Sequence, residues 1–300
     1  VSQSLARIFA ILALPLLAAC AGSPRTEDAP AVVPGYEGIQ DGEFFIEPVA
    51  ERFLAGGNQR QEVAFAGDEA PGTVVVDTFA RKLYLVMEGG RAMSYPIAVG
   101  REGLSFRGTG VVGRKAEWPS WQPTANMIRT RPDLYAAYAG GLPGGLQNPL
   151  GARALYLYRG GRDTMFRIHG TSDAASVGYA TSAGCIRLFN QDAIDLYNRV
   201  PNGARVKVRT EVESLAAEGP QMEDAYGRVV PATPENMTKK EKDLVLIARQ
   251  AEKDRAAAEK ADKKRLAACK RRGILPEDCP GPELPDAVVT VGTSDTSTNG

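Results

Sequence analysis

The chain has 300 residues and a mass of 32.0 kDa, enough for one or two domains with appendages. Hydrophobic residues make up 43% and charged residues 24%, the proportions of an ordinary globular protein. The 36 basic and 36 acidic side chains balance to a net charge of +0, which argues against a uniformly basic nucleic-acid coat protein, and the lone His with four scattered Cys argues against a multi-histidine metal site or a zinc ribbon.

The chain opens VSQSLARIFAILALPLLAAC. Arg7 and the amino terminus precede an apolar run from Ile8 to Ala19. That run is shorter than the ~20 residues a membrane-spanning helix needs, and it predicts a signal peptide over residues 1–19. Leu17-Ala18-Ala19-Cys20 resembles the lipobox of bacterial lipoproteins, in which the cysteine becomes the lipidated first residue. The alternative is an ordinary signal peptide with an incidental Cys. The resemblance implies a periplasmic protein held to a membrane by lipid without spanning it. By resemblance to the lipoprotein sorting rule of enteric bacteria, Ala21 in place of an Asp implies the inner leaflet of the outer membrane. Residues 20–70 are expected to be a tether followed by a docking segment. AGSPRTEDAPAVVPG (21–35) has the composition of a disordered linker. Phe44, Phe45, Ile46, Val49 and Phe53 predict a strand or short helix that packs on the main domain.

Residues 71–210 have a different pattern. Thr73 to Asp77 is a β-branched run, and Lys82 to Met87 is a second strand. Glu88-Gly89-Gly90-Arg91 turns that strand into another beginning near Ala92, so a hairpin is expected. Tyr95 to Val99, Ala154 to Tyr158, Met165 to Ile168 and Arg205 to Arg209 are further strands. Gln191 to Val200 reads as a helix, with Asn190 as its cap and Asp192 in its first turn. The fold class is therefore mainly β with minor α, a β-sandwich or barrel-like domain. Gly140 to Gly145 (GGLPGG) is a loop too irregular for a phosphate-binding motif.

Residues 211–300 should form a linker, a basic helix and a disordered tail. From Thr238 to Arg272 the chain is rich in Ala, Lys, Glu and Arg with no Gly or Pro, which predicts a helix. Leu244, Ile247, Ala248 and Ala251 make a short apolar stripe that then fades. A solvated helix is the simpler reading, and a basic arm lying on anionic wall polymer or lipid headgroups is the sharper one. Cys269 and Cys279, ten residues apart around a turn with Gly273 and Pro276, are expected to form a disulfide. Cys185 is then left over.

Cys185 lies in Ser182-Ala183-Gly184-Cys185-Ile186-Arg187-Leu188, sixteen residues after the only histidine, in Ile168-His169-Gly170-Thr171. A thiol becomes a nucleophile at neutral pH when a neighbouring base takes its proton, and imidazole suits that task. Gly184 permits a tight turn in which backbone N–H groups face a developing oxyanion. Arg187 could hold a carboxylate through paired hydrogen bonds. Taken alone, the two residues also fit a buried apolar Cys and a structural His.

IHGT followed by TSAGCIRL resembles the signature of the YkuD-type L,D-transpeptidases. The stretches Pro71–Asp77, Tyr95–Gly100 and Asn148–Leu155 resemble other parts of that family, so the likeness covers about 71–210. The resemblance implies an enzyme of peptidoglycan stem peptides that needs no metal or cofactor. Cys185 would be the nucleophile, forming a thioester with the third residue of a donor tetrapeptide. His169 would be the base, with its ring oriented by the Gly170 carbonyl. Backbone amides near Ser182, Ala183, Gly184 and Cys185 would form the oxyanion site, and Arg187 and Thr171 would contact substrate. The acceptor would be a second stem or an outer-membrane protein, with the membrane met through the lipid anchor and no nucleic acid involved. Ala183 replaces a second His of many members, and Ser172-Asp173-Ala174-Ala175 replaces an aromatic loop. Trp118 and Trp121 either line the cleft or pack on the sheet edge. Two other functions stay open: a thiol hydrolase of the same fold, and a non-catalytic wall-binding lipoprotein.

Overall fold

In the computed structural model, residues 32–100, 107–180, 185–275 and 278–281 are described. The expectations for the signal peptide, Cys20, Ser182, Ala183, Gly184 and the tail after 281 lie outside the described residues.

The N-terminal segment forms a hairpin, β1 (Ile39–Asp41) and β2 (Phe44–Ile46), then a one-turn helix α1 (Glu51–Leu54). The central region contains β3 (Gln61–Ala64), β4 (Val74–Asp77), β5 (Lys82–Met87), β6 (Arg91–Pro96), β7 (Ala98–Val99) and β8 (Gly108–Glu117). An excursion with α2 (Ala125–Thr130) and α3 (Pro132–Tyr135) leads to β9 (Arg153–Arg159), β10 (Arg162–His169) and β11 (Ile186–Arg187). Helix α4 (Asn190–Arg199) and β12 (Arg205–Val208) follow. The C-terminal region holds α5 (Glu211–Glu218), a hairpin of β13 (Gln221–Glu223) and β14 (Val229–Pro231), and α6 (Pro234–Arg271).

Ten strands share one sheet in the order β3-β6-β5-β4-β12-β8-β9-β10-β11-β7. β6 and β7 lie near opposite ends of that order, yet only Ile97 separates them in the chain. The sheet therefore bends back on itself around one core. That core gathers Val74, Val76, Leu83, Leu155, Leu157, Ile168, Ile186 and Val206, with Ala193 and Leu196 of α4 and Val200 just after it closing it. Val75 faces the other way and packs with Tyr84, Val86 and Ala92. A strand buried on both faces reads as a continuous apolar run, which is why β4 is plain in the sequence.

β8 is not evident in the sequence. GTGVVGRKAE holds two adjacent apolar residues, of which only Val112 enters the core. The strand is held by its ladders to β12 and β9, and Gly113 lies under Tyr158, where a Cβ would come within 2.4 Å of the ring. One prediction needs correction. Phe189, not Asn190, is the cap of α4; Asn190 is the first helical residue and its side chain turns back to the strands. Thr210 and Glu213 form a reciprocal capping box at α5, a T-x-x-E signal present in the sequence.

The N-terminal segment docks on the sheet domain. Tyr36, Val49 and Leu54 pack with Val177 and Phe189, and Ala174 lies against them. The Tyr36 hydroxyl and the Arg60 guanidinium both donate to the fully buried Asp192, at 3.1 and 3.0 Å. Helix α6 begins one turn earlier than its composition suggests, at a Thr233 cap followed by Pro234. Every residue from Leu244 to Ala261 is exposed. Cys269 and Cys279 are bonded, with a Cα–Cα distance of 5.9 Å, and Gly273 takes the left-handed turn between them at φ +71°.

Candidate active site

The register of two short strands builds the site. β10 and β11 run parallel, with Ile168 beside Ile186 and His169 beside Arg187. Ile168 and Ile186 point into the core. Side chains alternate along a strand, so Arg167, His169, Cys185 and Arg187 share the opposite face. All four line one cavity of about 500 Å³. The far wall comes from the excursion between β8 and β9, through Trp121, Tyr135, Tyr138 and Leu142. Trp121 sits 6.3 Å from both tyrosine rings.

His169 is 3% exposed. Its Nδ1–H donates to the Gly170 carbonyl at 2.6 Å, which leaves the Nε2 lone pair as the basic site. Burial drives its pKa down from 6.5 to about 3, and the Arg187 charge adds to this against the favourable carbonyls of Gly170 and Leu150. Cys185 is a free, partly exposed cysteine. Burial of its thiol raises the pKa, opposed by the Arg167 backbone N–H and by the charges of Arg167 and Arg187. The resting pair is therefore neutral thiol and neutral imidazole, and the two arginines favour negative charge once it develops at sulfur.

The turn after His169 is fixed from outside the strand. Asn190 Oδ1 accepts the backbone N–H groups of Ala152 at 3.0 Å and Thr171 at 3.2 Å. A Cβ on Gly170 would stand 2.2 Å from that oxygen, so glycine is required for close approach.

The other predicted residues separate. Trp121 lines the cavity and Trp118 does not. Trp118 turns to the N-terminal hairpin, where its Nε1–H donates to Asp41 at 2.8 Å and its ring lies 4.3 Å from Phe44. Thr171 is buried and absent from the cavity wall; its hydroxyl accepts the Asp173 N–H at 3.0 Å. Sequence reasoning missed Tyr156 and Arg167, which face the cavity. Arg167 stacks on Tyr156 at 4.2 Å while both its terminal nitrogens donate to Asp163. Its position two residues before His169 was the available signal, since period two puts both on one face. Met165, also at the cavity, holds φ 64° at the β10 irregularity between Asp163 and Arg167. Among the described residues no group of His, Cys, Asp and Glu is placed to hold a metal ion.

The family model for the L,D-transpeptidase catalytic domain, YkuD, matches residues 71–208. A relative from Fuscovulum blasticum, whose name is that of an L,D-transpeptidase in the ATP synthase subunits region, is 37% identical over 137 residues, or 45% of this chain and 68% of the relative. This chain belongs to the YkuD-type L,D-transpeptidase family. ErfK/SrfK of Escherichia coli K12, named a probable L,D-transpeptidase, is 33% identical over 138 residues, 45% of this chain and 43% of the relative. YqjB of Bacillus subtilis 168, also named as an L,D-transpeptidase, is 30% identical over 144 residues, 47% of this chain and 73% of the relative. The chain thus spans less than half the length of the E. coli relative. Within this L,D-transpeptidase-family chain, His169, Cys185 and Arg187 fall inside the matched residues, whereas the β1–β2 hairpin, α5, β13, β14 and α6 lie outside them.

Proposed function

We propose that the protein crosslinks peptidoglycan stem peptides through a thioester on Cys185. The observation that carries this reading is the shared cavity in which the only imidazole and the only free thiol among the described residues lie on one sheet face beside Arg187.

The chemistry runs in two halves. Cys185 Sγ attacks the carbonyl carbon of the donor stem's third residue while His169 Nε2 takes the thiol proton. The peptide bond to the terminal D-alanine breaks, and His169 returns that proton to the leaving amine. An acceptor amine then attacks the thioester, loses a proton to His169, and the thiolate leaves and is reprotonated. The acceptor forms a new amide bond, so no net charge or redox change occurs. The raised thiol pKa and lowered imidazole pKa make proton transfer uphill in the empty site. Donors facing the new oxyanion have to offset that cost. The reading includes a lipid anchor at Cys20 that holds the domain at the periplasmic face of a membrane, supported by the Leu17-Ala18-Ala19-Cys20 sequence.

The test is incubation of purified protein with disaccharide-tetrapeptide, followed by mass spectrometry. Crosslinked dimer with release of D-alanine is expected from wild type and absent from Cys185→Ala. Release of D-alanine with only cleaved monomer would replace this reading with that of a hydrolase.

A further inference from the structure

Helix α6 is not a uniformly mixed charged helix. Lys242, Arg249, Lys253, Lys260, Lys264 and Arg271 follow one another at alternating spacings of seven and four residues. At 3.6 residues per turn these spacings keep all six within an arc of about 60° over a length of about 44 Å. The only acid on that arc is Glu235, in the first turn, before the stripe starts. All six are exposed, and none makes an ion pair among the described residues. Elsewhere on the helix three cations are paired among the described residues: Lys239 with Asp243, Lys263 with Glu259 at 2.6 Å and Arg265 with Asp262 at 2.6 Å. A helix that is only solvated mixes both signs on every face. Here the acids have been kept to the other faces.

The position of the apolar residues chooses between partners. Leu244, Ile247, Ala251 and Ala258 lie on the side opposite the stripe, whereas Val245 and Leu246 lie beside and on it near its start; from Arg249 to Arg271 the stripe and its flanks carry no apolar side chain larger than alanine. An interfacial membrane helix places its cations beside its apolar face, where their stems can reach the headgroups. In α6, seating the cations from Arg249 to Arg271 on a bilayer would bring only alanines with them and turn Leu244 and Ile247 away. A row of charge flanked over most of its length by nothing larger than alanine suits an extended polymer with repeated anionic groups.

We infer that the α6 stripe is a docking surface for the carboxylates of wall stem peptides, so that the helix holds the catalytic domain along the polymer on which it acts. This rests on the function proposed above for its choice of polymer. The surface lies outside the 71–208 family match, so it is a property of this chain's extension.

The experiment uses the full chain and purified peptidoglycan sacculi in a co-sedimentation assay. Wild type and Cys185→Ala should pellet equally at low salt and be released as salt rises. Lys253→Gln/Lys260→Gln/Lys264→Gln should weaken binding about tenfold, while the off-stripe Arg255→Gln/Lys263→Gln/Lys270→Gln, with the same charge loss, should stay within about twofold. Lys253→Arg/Lys260→Arg/Lys264→Arg should keep wild-type binding. Sacculi whose carboxylates are capped with ethanolamine should not bind. Equal loss in both triple variants, undiminished binding to capped sacculi, or equal binding to vesicles of anionic phospholipid would overturn the inference. A chain that binds through the stripe but forms no crosslink would reject the catalytic reading and leave this one standing.

Discussion

The Thr171 backbone N–H donates to Asn190 Oδ1 at 3.2 Å, tying the turn after His169 to the first residue of α4. The same oxygen holds the Ala152 N–H at 3.0 Å, so one side chain fixes both the His169-Gly170-Thr171 turn and the approach to β9. Because the Gly170 carbonyl sets the imidazole, a shift of this turn moves the base. Asn190→Ala is expected to lower kcat about 10- to 100-fold with a smaller change in KM. Asn190→Asp keeps the acceptor oxygen and should retain most of the rate. Steady-state kinetics on both variants checks this; equal loss in both would remove Asn190 from the account.

Asp41 reaches the catalytic domain from outside the family match. It accepts both terminal nitrogens of Arg153 at 2.7 and 2.9 Å and the Trp118 Nε1–H at 2.8 Å. Trp118 has φ 41° where β8 gives way to the cavity's far wall. Asp41→Ala leaves the nearly buried Arg153 with only the longer 3.9 Å contact to Glu117 and should cost roughly 2–5 kcal/mol of stability. Thermal unfolding measures it, and a change below about 0.5 kcal/mol would mean the hairpin only rests on the domain.

How much of this was legible follows from where the information sits. β4, β5, β9 and β12 announce themselves because burial on a pleated surface demands β-branched and apolar residues at fixed positions. β8 is hidden because its stability comes from ladders on both sides rather than from its own side chains. His169 and Cys185 stand out as rare residues beside glycine, yet their shared face depends on a parallel register between segments sixteen residues apart. The separation of Trp118 from Trp121 was not readable. It depends on Asp41, a partner 77 residues away that no local pattern marks.

The single histidine allows its titration to be read without ambiguity. The folded imidazole should stay neutral, with the proton on Nδ1, down to a pKa of about 3. The unfolded chain takes up that proton near pH 6.5, so His169 contributes stability above 6.5 that is lost as pH falls towards 3. Nitrogen-15 NMR of the ring reports both the tautomer and the midpoint. A midpoint near 6.5 would show that the ring is not desolvated as described.

The thiol provides the complementary measurement. Burial raises the Cys185 pKa, so alkylation by iodoacetamide in the absence of substrate should speed up steadily into the alkaline range. A plateau of high reactivity around neutral pH would indicate a preformed thiolate–imidazolium pair and contradict the neutral resting state.

The most direct test is intact-protein mass spectrometry after brief mixing with a donor tetrapeptide. The account predicts an adduct equal to the donor minus D-alanine, mapped to Cys185, absent from Cys185→Ala and formed much more slowly by His169→Ala. Crosslinked or cleaved product appearing without any adduct on Cys185, or an adduct formed equally fast without His169, would contradict it.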